Sequence, residues 1–152
     1  MTPIKFTITG FPRSRTAWFA GYLTNGPVIC YHEAYFNCQD MDSEEYTHIG
    51  NSDSGHLFNK EDTSDHRMVV VHRDLEEVRK SMLNLWDQDC GWLLQSMGRA
   101  LDNIKGLHID FPDIDKRMEE IHKYLDIPYN KERHALFTTL NIQAQDLENI
   151  TC

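Results

Sequence analysis

Residues 6–18 read Phe6-Thr7-Ile8-Thr9-Gly10-Phe11-Pro12-Arg13-Ser14-Arg15-Thr16-Ala17-Trp18. Ile4, Phe6 and Ile8 alternate with Lys5, Thr7 and Thr9, the period of a strand. After Gly10 comes a loop of small, basic and hydroxyl residues, and then Trp18, Phe19, Tyr22 and Leu23 at helical spacing. Thr24-Asn25-Gly26-Pro27 stops that helix. A loop set between a strand and a helix aims backbone N–H groups at one point, with the positive end of the helix dipole behind them. Its natural guest is a phosphate or sulfate. The stretch is not a Walker A loop, which requires a Gly and a Lys where this chain has Arg15 and no lysine.

The segments further along repeat the alternation of strand and helix. Val28 to Tyr31 is a short apolar run that delivers His32 and Glu33 at its C-terminal end. Tyr46 to Ile49 suggests a third strand, and the run GNSDSG that follows has the composition of a surface turn. Met68 to Val71 is a continuous apolar run of the kind found in central parallel strands, and it ends in His72-Arg73-Asp74. Leu75, Val78, Met82 and Leu85 mark a helix face, with Asp74 as its N-cap. A second helix runs from about Trp92 to Ile104. Leu107, Ile109 and Phe111 suggest a last strand. Asp115 is placed to cap a helix burying Met118, Ile121 and Leu125, and Asn130 to cap another through Leu140, before a frayed tail over 141–152. The expectation is an α/β fold in three layers, a mostly parallel central sheet flanked by helices, in one domain over 1–152.

Composition narrows the function classes. A net charge of −9 argues against a general affinity for nucleic acid, so an anionic ligand has to be drawn by local basic groups. Four cysteines without CxxC pairing suggest a reducing compartment. With no basic and apolar leader and no apolar run near the roughly 18 residues of a membrane span, a soluble cytoplasmic protein is expected. The histidines do not fall at zinc-ligand spacing, and no metal site is expected.

Two clusters carry chemistry. Arg13, Ser14, Arg15 and Thr16 are placed to wrap an anion, the guanidinium suiting bidentate oxyanion binding. Arg73 leaves the end of the central strand, and Ser81 follows eight positions later on the next helix; their spacing alone fits a second-phosphate site beside the first loop and a salt-bridged Arg73 with an inert Ser81 equally well.

These residues resemble the sulfotransferase family that uses 3′-phosphoadenosine-5′-phosphosulfate (PAPS). The loop GFPRSRTAW looks like that family's 5′-phosphosulfate loop, commonly PKSGTTW, and VVVHRDLEEVRKSML is similar to its 3′-phosphate motif of an Arg closing a strand and a Ser eight positions on. LHIDFPDIDKRMEEIHKYLDIP looks like the family's late strand and helix. The resemblance implies a P-loop-like fold and transfer of a sulfuryl group, without metal, to a hydroxyl or amine of a small molecule, glycan or peptide. The product is adenosine 3′,5′-bisphosphate. It implies that Arg13 steadies the bridging oxygen, with Ser14, Arg15, Thr16 and Ala17 completing the loop, and that Arg73 and Ser81 hold the 3′-phosphate. Trp18 either packs on adenine or is a buried helix aromatic. Some branches use a Glu as base, and Glu33 stands in the corresponding place, with His32 beside it as second candidate. Since strand neighbours point in opposite directions, one of the two is expected to face the site. Arg15 stands where the family's loop has Gly, and Ala17 where it has a second Thr. A nucleotide-binding protein of the same fold without turnover is the alternative, ahead of a P-loop phosphotransferase.

Overall fold

In the computed structural model, which describes residues 1–34, 39–54, 62–143 and 146–147, the sheet grows outward from the opening strand. β1 (Ile4–Gly10) lies at its centre, β3 (His48–Asp53) and β2 (Val28–His32) continue on one side, and β4 (Arg67–His72) and β5 (Leu107–Asp110) on the other. All four pairings are parallel. The chain leaves β1 toward β2 and leaves β4 toward β5, in opposite directions along the sheet. Between them opens the crevice in which such sheets bind ligands, at the C-terminal ends of the strands.

Helices cover both faces. α1 (Thr16–Leu23), α4 (Met118–Leu125) and α5 (Lys131–Phe137) lie on the side where Phe6, Ile8, Val69 and Val71 join Phe19, Ile121 and Leu125 in one core. α2 (Leu75–Trp86) and α3 (Gly91–Asp102) lie on the other, where Val70 meets Phe11, Val78, Met82, Leu94 and Met97. Successive valines of β4 thus feed opposite cores, which is why that strand reads as an unbroken apolar run. The α/β class, the three layers and the parallel sheet are as expected.

The caps divide. Asp74 accepts from the Glu77 amide and Asn130 from the Arg133 amide, as expected for N-caps. Asp115 does not cap α4, whose N-cap position falls to Arg117. Its carboxylate is drawn away by His134 and Arg15, at 3.0 and 3.2 Å.

The larger departure is β3. It begins at His48 rather than Tyr46 and runs through most of GNSDSG, so a run with the composition of a surface turn is instead a central strand with all six residues buried. Internal partners take the place of water. Asn51 Oδ1 accepts from the Ala34 amide at 2.8 Å, Asn51 Nδ2 donates to Asp53 Oδ2 at 2.6 Å, and Ser52 Oγ donates to the Thr16 carbonyl at 2.7 Å. Gly50 is needed for a packing reason. A Cβ there would lie 2.0 Å from the Phe6 ring, which fills the space above the strand.

Candidate functional site

The loop that follows β1 is shaped by its neighbours before any ligand arrives. A Cβ at Gly10 would stand 2.6 Å from the Val71 carbonyl, so the close approach of β4 admits only glycine at the start of the loop. Arg13 and Arg15 then both adopt left-handed backbone, each at φ 66°. Left-handed residues alternating with others turn successive amides toward one concavity, the geometry of an anion nest. α1 starts immediately beyond, with Arg15 at its N-cap and, among the described residues, no side chain satisfying the first-turn amides. Ser14 is fully buried in this loop, and its hydroxyl has no hydrogen-bond partner among the described residues. Orphaned amides and an orphaned hydroxyl beside a helix N-terminus make a donor set that fits a phosphate or phosphosulfate group.

The second cluster closes on the first. Arg13 Nε lies 3.4 Å from Ser81 Oγ on α2, and its Nη1 reaches Gln143 Oε1 at 3.3 Å. Arg73 Nη1 donates to the Arg13 carbonyl, while its guanidinium carbon stands 4.2 Å from the centroid of Phe111 and its Nε 3.6 Å from Glu77. Residues separated by 68 and 60 positions in the chain therefore meet at one side of the nest.

The exit of β2 supplies the third component. A cleft of about 480 Å³ is lined by the loop, by both His32 and Glu33, and by Ser54 at the end of β3. The expectation that only one of the two faces the site rested on strand alternation. That alternation breaks because Glu33 adopts φ 55°, a left-handed conformation that turns the chain out of the sheet. Burial pushes the His32 imidazole below its ordinary value, opposed by the nearby Glu33 and Asp53 carboxylates. Its Nε2 lies 3.4 Å from Thr16 Oγ1.

Trp18 lines the same cleft yet is 4% exposed. Tyr22 stacks on it at 4.7 Å, the Arg15 guanidinium stands 3.8 Å from its ring centroid, and its Nε1 donates to the Phe137 carbonyl at 2.9 Å. Arg15 and Tyr22 thus both pack on the indole ring. Ala17 also borders the cleft. The Arg15 side chain turns from the nest toward Asp115. That carboxylate is held below its usual range: burial works against its charge, but hydrogen bonds from His134 and Arg15 outweigh it. His134 Nε2 lies 3.0 Å from Asp115 Oδ1, and its Nδ1 lies 2.8 Å from the Tyr129 hydroxyl.

Sequence reasoning missed four groups that shape the site: Asn51 and Asp53, Asp115, Trp86 in the cleft lining, and Gln143 against Arg13. Asp115 carried a helix-cap signal and Asn51 a turn signal, and neither type of signal reports a tertiary partner. Among the described residues no His, Cys, Asp and Glu side chains group as metal ligands would, and no helix is long and apolar enough to cross a membrane.

No family model matches this chain, and no curated protein matches it. Among solved structures, the chain is similar to mouse sulfotransferase SULT7A1 in its crystal structure complexed with PAP. The TM-score is 0.52 at 11% sequence identity, covering 90% of this chain and 63% of that one. At that identity the likeness establishes the fold, and the chain spans less than two thirds of the mouse protein's structure.

Proposed function

We propose that this chain is a PAPS-dependent sulfotransferase acting on a hydroxyl or amine acceptor. The observation that carries the reading is the convergence at one crevice of three features distant in sequence: the nest over Gly10–Arg15, the Arg13, Ser81 and Arg73 group, and the His32 and Glu33 exit of β2. A likeness in fold to a PAP-bound sulfotransferase supports the same reading.

The donor supplies an activated sulfuryl group, whose S–O bond to phosphate breaks as the acceptor oxygen or nitrogen bonds to sulfur. The loop amides, the α1 N-terminus, Ser14 and Thr16 hold the phosphosulfate, and positioning of this kind is the main catalytic contribution in loose transfers of charged groups. Arg13 offers a guanidinium to the oxygen on which negative charge develops. Arg73 and Ser81 receive the 3′-phosphate, the group that separates PAPS from ATP or ADP. Glu33 takes the acceptor proton, and His32, whose burial favours the uncharged imidazole, is the second group able to accept it.

A nucleotide-binding protein of the same fold without turnover is favoured by one feature, the capture of the Arg13 guanidinium by Ser81 and Gln143. Transfer from labelled PAPS to a panel of phenol, sugar and amine acceptors separates the two. The proposal expects transfer, and a loss of roughly 10²–10⁴-fold in Glu33→Gln with bisphosphate binding retained. Binding without transfer to any acceptor supports the second reading, and undiminished transfer by Glu33→Gln removes Glu33 as base.

A further inference from the structure

Glu33 is a non-glycine residue in left-handed backbone at the end of a buried strand, and such a conformation persists only where the surroundings over-determine it. The surroundings here are β3. The Glu33 amide donates to the Ser52 carbonyl at 3.1 Å, which continues the parallel ladder by one more bond. The next amide, of Ala34, finds a side chain in place of a strand: it donates to Asn51 Oδ1 at 2.8 Å. Ala34 and Asn51 are both fully buried, so no water substitutes for that acceptor.

The Asn51 amide is itself held one way round. An amide N–H can only donate, so the Asn51 oxygen faces Ala34 and its nitrogen must find an acceptor on the other side. Asp53 provides it at 2.6 Å, from a position 1% exposed whose second oxygen, Oδ1, has no partner among the described residues. A buried carboxylate with a half-empty hydrogen-bonding capacity is an expensive feature to keep for packing alone. In β3 it fixes the orientation of the side chain that accepts from the Ala34 amide as the chain leaves β2.

We infer that Asn51, oriented by Asp53, is a positioning residue that holds Glu33 in its left-handed conformation and so turns its carboxylate into the cleft beside His32. Without the Ala34 bond the backbone returns toward the extended form, in which Glu33 follows strand alternation and faces away from His32. The inference rests on the proposed role of Glu33 as base, but its geometric half stands apart from any activity.

The test therefore has two arms. In the first, the three-bond amide coupling of Glu33 reports its φ by NMR. Wild type gives the left-handed value, Asn51→Leu gives the extended value, and exchange protection of the Ala34 amide is lost. A left-handed Glu33 in Asn51→Leu overturns the inference whatever the protein catalyses. The paired exchange Asn51→Asp with Asp53→Asn, in which carboxylate and amide trade places, is expected to restore both signals. Should Asn51→Leu not fold, Asn51→Ser, too short to reach Ala34, is read in the same way. In the second arm, Asn51→Leu lowers kcat for sulfuryl transfer by roughly 10²-fold with KM for the donor unchanged, the size of a misplaced catalytic group. In a Glu33→Gln background the same change lowers kcat no further. A full additional loss in that background assigns Asn51 a general structural role and overturns the inference. Absence of transfer in the wild type counts against the proposed function alone, and the coupling arm still decides the positioning role.

Discussion

Arg15→Gly probes how the loop tolerates the residue that departs most from the sulfotransferase pattern. Arg15 sits at φ 66°, where a side chain costs about 1–2 kcal/mol and glycine costs nothing sterically. Three contributions oppose that relief. The guanidinium stacked 3.8 Å over Trp18 is worth about 0.5–1 kcal/mol. The ion pair to Asp115, at 3.2 Å and partly exposed, is worth about 0–1 kcal/mol. Glycine also frees the unfolded chain by about 0.4–1 kcal/mol. The contributions are of similar size, so the variant is expected within about 1 kcal/mol of wild type in urea unfolding. Because the Arg15 side chain turns toward Asp115, its loss leaves the nest amides in place and uncovers one face of Trp18. Calorimetric affinity for adenosine 3′,5′-bisphosphate is therefore expected to hold or rise. A stability loss above about 2 kcal/mol would mean that the bridge to Asp115 shapes the loop, and a tenfold loss of affinity would make the guanidinium itself a ligand.

Arg73→Ala and Ser81→Ala are expected to weaken binding of the bisphosphate while leaving AMP little changed. For Arg73 the loss is about tenfold or more, the worth of a charge-assisted hydrogen bond, and equal losses for both nucleotides would contradict the assignment. Gly50→Ala forces a methyl group into the Phe6 ring and is expected to cost about 1–3 kcal/mol in denaturant unfolding; adding Phe6→Leu should recover part of it, and a neutral Gly50→Ala would contradict the packing described. Stability should also fall on acidification below about pH 6.5. Burial pulls the pKa values of His32, His48 and His122 below the ordinary 6.5. Between those lowered values and 6.5 the unfolded chain binds more protons than the folded one, so stability rises with pH across that window and levels off above it. His122→Gln should flatten this slope in urea midpoints measured across the window, and an unaltered slope would remove His122 from the account.

The parts legible in the sequence were those governed by local periodicity. The helix over Thr16–Leu23, the valine run of β4 and the caps Asp74 and Asn130 follow from spacing and side-chain chemistry within a few residues. β3 was not legible as a whole, because the same Gly, Asn, Ser and Asp that favour turns near water become strand residues once neighbours supply their hydrogen bonds. Only burial between β1 and β2 distinguishes the two outcomes. Similarly, Asp115 satisfies a local rule for capping, but His134 and Arg15, distant in sequence, compete for it and win. Glu33 shows the same limit at the candidate site. Alternation predicts its direction from β2 alone, whereas Ser52 and Asn51 on the neighbouring strand hold it otherwise.

The proposed function requires a site for two phosphates, one in the nest and one at Arg73 and Ser81. Calorimetric titration of the wild-type chain with adenosine 3′,5′-bisphosphate and, in parallel, with ADP separates the two sites' contributions. Tight binding of the bisphosphate and markedly weaker binding of ADP are expected; equal affinity for the two, or binding of neither, would rule out a two-phosphate site.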